Sequence, residues 1–182
     1  DIGSKVAGMG VALDMKVIGY DPALSVEAAW RLPSQVEPAD SIEEIFSRGD
    51  FITLHIPAIE STKGIVNLEL LKNAKKASLL NFARHEVVNN ESILEALETG
   101  LLINFITDFP TPDLIKRAND HGDVILLPHI GASTTQAQEN CAIMAVEQLS
   151  DFLQHGNINN SVNFPNVNLP RSTKNRIAIT NR

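Results

Sequence analysis

Apolar and polar positions along this chain change period repeatedly, and the changes mark out its elements. Val6, Met9 and Leu13 fall on one face of a helix over 4–13, with Gly3 just before it. Gly8 and Gly10 weaken that helix by about 1 kcal/mol each relative to alanine. A short apolar run over 17–20 then reads as a strand, stopped by Asp21-Pro22. Between 23 and 40 the pattern is mixed: Val26, Ala29 and Trp30 suit a short helix, and Gln35-Val36 a brief strand. Ser41, with Glu44 three positions on, has the form of a capping box and opens a helix. Apolar runs over 51–55, 78–82, 101–107 and 124–127 predict further strands, separated by helical segments over 68–73, 91–97 and 114–119. A long helix over 135–155 follows, with Ser133 and Thr134 as candidate caps and Gly156 as its stop.

Strands thus alternate with helices, and the strands are apolar throughout. That is the pattern of an α/β fold whose parallel sheet is covered on both faces. From Asn157 the character changes to an Asn-rich stretch with Pro165 and Pro170, which reads as a linker over 157–175. A new apolar run beginning at Arg176 predicts a strand that opens a further domain over 176–182. The chain starts with Asp1 and enters a helix pattern almost at once, so it reads as a fragment. The domain reading is therefore a core domain over 1–156, incomplete at its amino end, then the linker and that strand.

Composition narrows the function classes. The 182 residues carry a net charge of -7, which disfavours a general nucleic-acid or anionic-membrane surface. No apolar run reaches the length of a membrane span. Cys141 is the one cysteine, so no disulfide forms within the chain, in keeping with a reducing cytoplasm. It reads as a small buried apolar residue.

Several strands end in polar groups that a parallel sheet brings to one rim, where open α/β folds bind ligands: Asp21, Arg84, Asp108 and His129. Histidine titrates near neutrality and can give or take a proton there. Arginine at a strand end can hold a carboxylate through two parallel hydrogen bonds. Asp113 lies in the next turn and, with Asp108, is a candidate acid to orient the histidine. Gly3 before a helix, followed by a strand ending in Asp21, has the form of half a dinucleotide site. The helix N-terminus attracts a pyrophosphate, and the later acid accepts ribose hydroxyls. Together these groups form a working set for hydride transfer to or from a hydroxy acid.

Four motifs carry a resemblance over nearly the whole chain: Asn81-Phe82-Ala83-Arg84, the run from Thr107 through Asp108 to Pro112, the run from Leu127 through His129 to Thr134, and the run from Asn160 to Pro165. They resemble the phosphoglycerate dehydrogenase branch of the D-2-hydroxyacid dehydrogenases. The resemblance implies a Rossmann-like doubly wound parallel sheet, truncated here at its first strand. It implies NAD-linked oxidation of 3-phosphoglycerate to 3-phosphohydroxypyruvate, on the way to serine, in the cytoplasm. By the resemblance Arg84, Asp113 and His129 are catalytic. NAD would lie against Ile2, Gly3, Asp21, Phe82, Ala83, Arg84, Asp108, His129, Ile130, Gly131 and Ala132, and no metal is expected. The strand at 176 looks like the start of an ACT regulatory domain, a site for serine as effector, and the family is generally a homo-oligomer. An amino-terminal substrate half and most of the ACT domain would then lie outside this chain.

Three departures from the family pattern stand out. Asp113 occupies a glutamate position, one methylene shorter, and a misplacement of about 1 Å can cost on the order of 100-fold in rate. His85 follows the arginine where the family has glycine, which is costly if that backbone needs a positive φ. Asp14 stands where the family ends its first helix with glycine. The first two motivate an alternative reading, a non-catalytic NAD(H)-sensing protein on the same fold; a dehydrogenase for another D-2-hydroxy acid is a further one.

Overall fold

The computed structural model describes residues 2–161, 163–170, 175 and 177. Its elements, in chain order, are α1 (Ile2–Ala12), β1 (Ile18–Gly19), α2 (Val26–Ala29), β2 (Glu37–Pro38), α3 (Ile42–Arg48), β3 (Phe51–Leu54), α4 (Leu68–Leu71), β4 (Ala77–Asn81), α5 (Asn90–Glu98), β5 (Leu102–Thr107), α6 (Pro112–His121), β6 (Val124–Leu126) and α7 (Thr135–His155). Side-chain caps set most helix starts. Ser41, Asn67, Asn89, Thr111 and Thr134 each accept a backbone N–H from three residues on. The capping-box glutamate, Glu44, reaches back to the Asp40 N–H at 2.8 Å. α6 is longer than the sequence pattern predicts, because Pro112 follows the Thr111 cap and suits the first turn, and Gly122 at φ 75° ends the helix.

Among the described residues, the pairs between these strands are parallel. They form a two-stranded sheet, β1-β2, and a four-stranded sheet in the order β3-β4-β5-β6. β2 lies two residues beyond the Gln35-Val36 run because pairing with β1 sets its place. Glu37 N–H donates to Val17 O and Ala39 N–H to Gly19 O, both at 2.9 Å. Gly10 has a packing role that its low helix propensity hides: a Cβ there would lie 2.9 Å from Val17 Cγ2. Asp14 adopts φ 57°, so the left-handed turn after α1 is carried by an aspartate. His85 is not among the positive-φ residues, so replacing glycine there leaves no such strain.

The core lies on one face of the four-stranded sheet. Ile52, Leu54, Leu79, Phe105 and Val124 point into it, against Phe46 of α3, Leu71 of α4, Ile93 of α5 and Leu114 of α6. On the other face the register aligns Thr53, Leu80, Ile106 and Ile125. Leu80 and Ile106 are half-buried, while Thr53 and Ile125 at the flanking strands are exposed. The sheet is therefore covered unequally, and the alternation in burial along β3 is that of a strand with one buried face rather than two.

The chain divides into two compact units, one ending at His129 and one beginning at Ile130. The first holds both sheets. The second holds α7, which runs between its Thr134 cap and Gly156 at φ 70° and has no buried residue. Cys141 on α7 is accordingly exposed, not buried as its small size suggests. Beyond α7, Asp151 accepts hydrogen bonds from the side-chain amides of Asn157 and Asn159, and Ile158 bridges to Val167. The expected linker is thus folded back on itself over part of its length. The strand expected over 176–182 lies outside the described residues, Ile177 apart.

Candidate active site

The carboxyl ends of β4, β5 and β6 carry the site, and two polar residues bind these ends together. Asn81 and Thr107 are register partners at the ends of β4 and β5, and both are buried. Asn81 uses its amide twice. Its Nδ2 donates to Arg84 O at 2.9 Å, and its Oδ1 accepts from Ala83 N–H at 3.1 Å. The Phe82-Ala83-Arg84 turn is thereby locked to the sheet. Thr107 Oγ1 donates to Asn81 O at 2.9 Å and accepts from Phe109 N–H at 3.2 Å, while Thr107 O accepts from Leu127 N–H. Buried polar groups that are fully paired fix one geometry.

Asp108 and His129 meet on this scaffold. His129 Nδ1 donates to Asp108 Oδ2 at 2.9 Å; the Asp108 side chain is 12% exposed and the imidazole 61%. A carboxylate only accepts, so the proton between them sits on Nδ1, and Nε2 is the ring nitrogen left for chemistry. Asp108 Oδ1 is buried and has no partner. Phe109 packs tilted on the His129 ring, centroids 5.1 Å apart, and also meets the His85 ring at 6.1 Å. His85 pairs with Glu86 at 3.1 Å. Arg84 is exposed, and its Nη1 donates to Ala83 O at 2.6 Å. Asp113 lies elsewhere, in the first turn of α6, exposed, where the helix dipole favours its charge. Among the described residues, the carboxylate bonded to His129 is that of Asp108.

The remaining expected residues open α1, follow β1 and β4, or lie in the second unit. Ile2 and Gly3 open α1, and a helix N-terminus favours an anion. Gly3 is packed on His55, which follows β3: a Cβ there would sit 3.4 Å from His55 Cβ. His55 Nε2 is 3.1 Å from Thr53 Oγ1, and burial holds its pKa below the ordinary imidazole value of 6.5. Asp21 is exposed beyond β1, its Oδ1 accepting from Ala23 N–H at 2.9 Å. Phe82 is exposed and Ala83 half-buried. Ile130, Gly131 and Ala132 open the second unit, in a turn that Ser133 N–H closes on Ile130 O at 3.0 Å.

Sequence reasoning missed Asn81, Thr107, Phe109 and His55 as contributors. The available signal for the first two was a polar residue closing an otherwise apolar strand. For Phe109 and His55 there was none, since packing across strands places them.

Comparison with known proteins agrees with this picture. Residues 1–131 match the family described as D-isomer specific 2-hydroxyacid dehydrogenase, NAD binding domain. A D-3-phosphoglycerate dehydrogenase of Synechocystis is 36% identical over 171 residues, covering 91% of this chain and 30% of that protein. One of Haemophilus influenzae is 34% identical over 178 residues, covering 93% and 42%. Among solved structures, the NAD complexed form of the D-isomer specific 2-hydroxyacid dehydrogenase from Lactobacillus delbrueckii ssp. bulgaricus superposes with a TM-score of 0.69 at 27% identity, covering 84% of this chain and 51% of that one. The chain spans less than half the length of either curated relative.

Proposed function

Since this chain belongs to the D-isomer specific 2-hydroxyacid dehydrogenases, through their NAD-binding domain, we propose that the protein carrying it oxidises a D-2-hydroxy acid, 3-phosphoglycerate, to 3-phosphohydroxypyruvate, and that it runs the reduction in reverse. The observation that carries the reading is the Asp108–His129 pair, an oriented imidazole at the rim of a parallel sheet.

The residues present fit NAD. The start of α1 at Ile2 and Gly3 would hold the pyrophosphate, and Asp21 the adenosine ribose; a carboxylate there repels a 2′-phosphate and favours NAD over NADP. The buried, unpartnered Asp108 Oδ1 is an acceptor suited to the carboxamide N–H of a nicotinamide. Phe82, Ala83 and the turn from Ile130 through Gly131 to Ala132 complete the assignment. When bound, NAD supplies the hydride acceptor.

The chain's own residues do the rest. Arg84 binds the substrate carboxylate through its two-pronged guanidinium and draws electron density from the adjacent carbon. His129 Nε2 takes the proton of the substrate hydroxyl, and its Nδ1–H bond to a carboxylate stabilises the imidazolium that forms. In the reduction the same atom returns the proton. Burial of the Asn81–Thr107 pair keeps the Arg84 turn and the Asp108 strand end in one fixed relation. Sequence similarity to D-3-phosphoglycerate dehydrogenases supports the phosphorylated substrate. A homo-oligomer, a reducing cytoplasm and serine as an effector belong to the same proposal; among the described residues no helix is long and apolar enough to cross a membrane.

The test is NADH consumption by the full-length protein, with 3-phosphohydroxypyruvate set against pyruvate, glyoxylate and 2-oxoglutarate. Preference for the phosphorylated acid is expected. Preference for another acid overturns the substrate assignment, and normal NADH binding without turnover of any of them establishes the sensing reading instead.

A further inference from the structure

We propose that Asp108, and not Asp113, is the positioning carboxylate for His129. The inference rests on the dehydrogenase reading for its catalytic consequence, though not for the pairing itself.

Three observations carry it. The first is geometry: His129 Nδ1 and Asp108 Oδ2 are 2.9 Å apart, a charge-assisted hydrogen bond when the ring is protonated. The second is how each acid is held. Asp108 follows β5 directly. Its neighbours on both sides are tied down, Thr107 by Asn81 O and Phe109 by Thr107 Oγ1. Its side chain is nearly buried, and a carboxylate taken out of water and left with one unpartnered oxygen holds its one partner closely. Asp113, by contrast, is an exposed first-turn residue of α6, beyond the Thr111 cap, and its charge is favoured there by the helix end. The third is the ring's other contact. Phe109, the residue after Asp108, packs on the imidazole, so one short segment supplies both the hydrogen bond and the surface that set the ring's plane.

Asp108 bonds His129 directly. His85 touches the same Phe109 ring, with its own ring engaged by Glu86, and Arg84 precedes His85 in the chain. None of these replaces Asp108 as the group on Nδ1. One consequence follows for the departure seen in the sequence. The shorter side chain at position 113 does not weaken the histidine, because the carboxylate that holds His129 comes from the strand end.

The experiment is a pair of isosteric substitutions, D108N and D113N, read first by the ring-nitrogen NMR shifts of His129, which report its tautomer, and then by turnover, both in the full-length protein. D108N is expected to reduce the share of the Nδ1–H tautomer, because an amide can donate to Nδ1 where a carboxylate only accepts. D113N is expected to leave the tautomer as in the wild type. In turnover, D108N should reduce kcat/KM at least about ten-fold more than D113N. D113E, which restores the longer acid, should bring no gain. A tautomer balance that changes with D113N and not with D108N overturns the proposal, as does one that changes with neither. If D108N does not fold, a large rate gain in D113E or a changed tautomer in D113N overturns it by itself. The NMR readout needs no substrate, so a failed pairing and a failed dehydrogenase reading remain separate results.

Discussion

Among the acid–base pairs of the first unit, two are built to opposite ends. Arg117 on α6 grips Asp123, just before β6, through Nε and Nη2, at 2.7 to 3.2 Å, and reaches Glu98 at the end of α5 with Nη1 at 2.6 Å. Its side chain is 11% exposed. The guanidinium holds the Asp123 carboxyl below its ordinary range, and the two acids push the arginine further up. Arg117 donates from Nε, Nη1 and Nη2, and so ties α5, α6 and the residue before β6 together. The Asp108–His129 pair makes one hydrogen bond, leaves Oδ1 without a partner, and turns the far side of the imidazole to solvent. A closed pair contributes to holding the fold. An open pair, with an acceptor unmet and an exposed ring, contributes little to the fold and is free for chemistry.

Substitutions should separate the two roles. The largest effect is expected on the open side: H129A in the full-length protein should lower kcat by about 10²- to 10⁴-fold, the usual scale for losing a general acid–base. Its thermal midpoint should stay near that of the wild type, because the ring is exposed. A lost rate that tracks lost stability in calorimetry would erase the contrast. Next comes the closed side. R117A removes the guanidinium from Asp123 and should cost roughly 2–3 kcal/mol of unfolding free energy in urea, at the lower end for breaking a largely buried charged pair because Glu98 is exposed. Unchanged urea curves would mean the network is ornamental. The smallest effect is one of pH. Asp123 has a folded pKa below its ordinary value of 3.8, so its contribution to stability is present above about pH 4 and is lost as the pH falls further. D123N should flatten that part of the stability–pH curve, and an acid limb as steep as that of the wild type would show that other carboxylates produce it.

The same contrast marks where reading the sequence succeeded. Strand and helix order follows from periodicity. The caps at Ser41 and Thr134 and the stop at Gly156 are short-range chemistry, visible in a few consecutive residues. The rim residues Arg84, Asp108 and His129 were legible because they close apolar runs. Their partners were not. Resemblance points to Asp113 as the catalytic acid, and in the folded chain the carboxylate hydrogen-bonded to His129 is that of Asp108. Arg117, Asp123 and Glu98 gave no signal as a group, since they come from three elements that meet only after the sheet has formed. Gly10 looked like a weak point in a helix and proved to be a close approach to Val17.

What the sequence determined by itself, then, is the succession of elements, their caps, the parallel α/β class and the set of chemistry-bearing residues at the strand ends. Each depends on neighbours within a few positions, where backbone preference and hydrophobic period act directly. Which of those residues meet was decided by tertiary structure. Strand register aligned Asn81 with Thr107, the Thr107–Phe109 turn aimed Asp108, and the packing of Phe109 fixed the His129 ring. A hydrogen bond needs its atoms within a few tenths of an ångström, and only strands held side by side in one register set distances that fine between residues far apart in the chain.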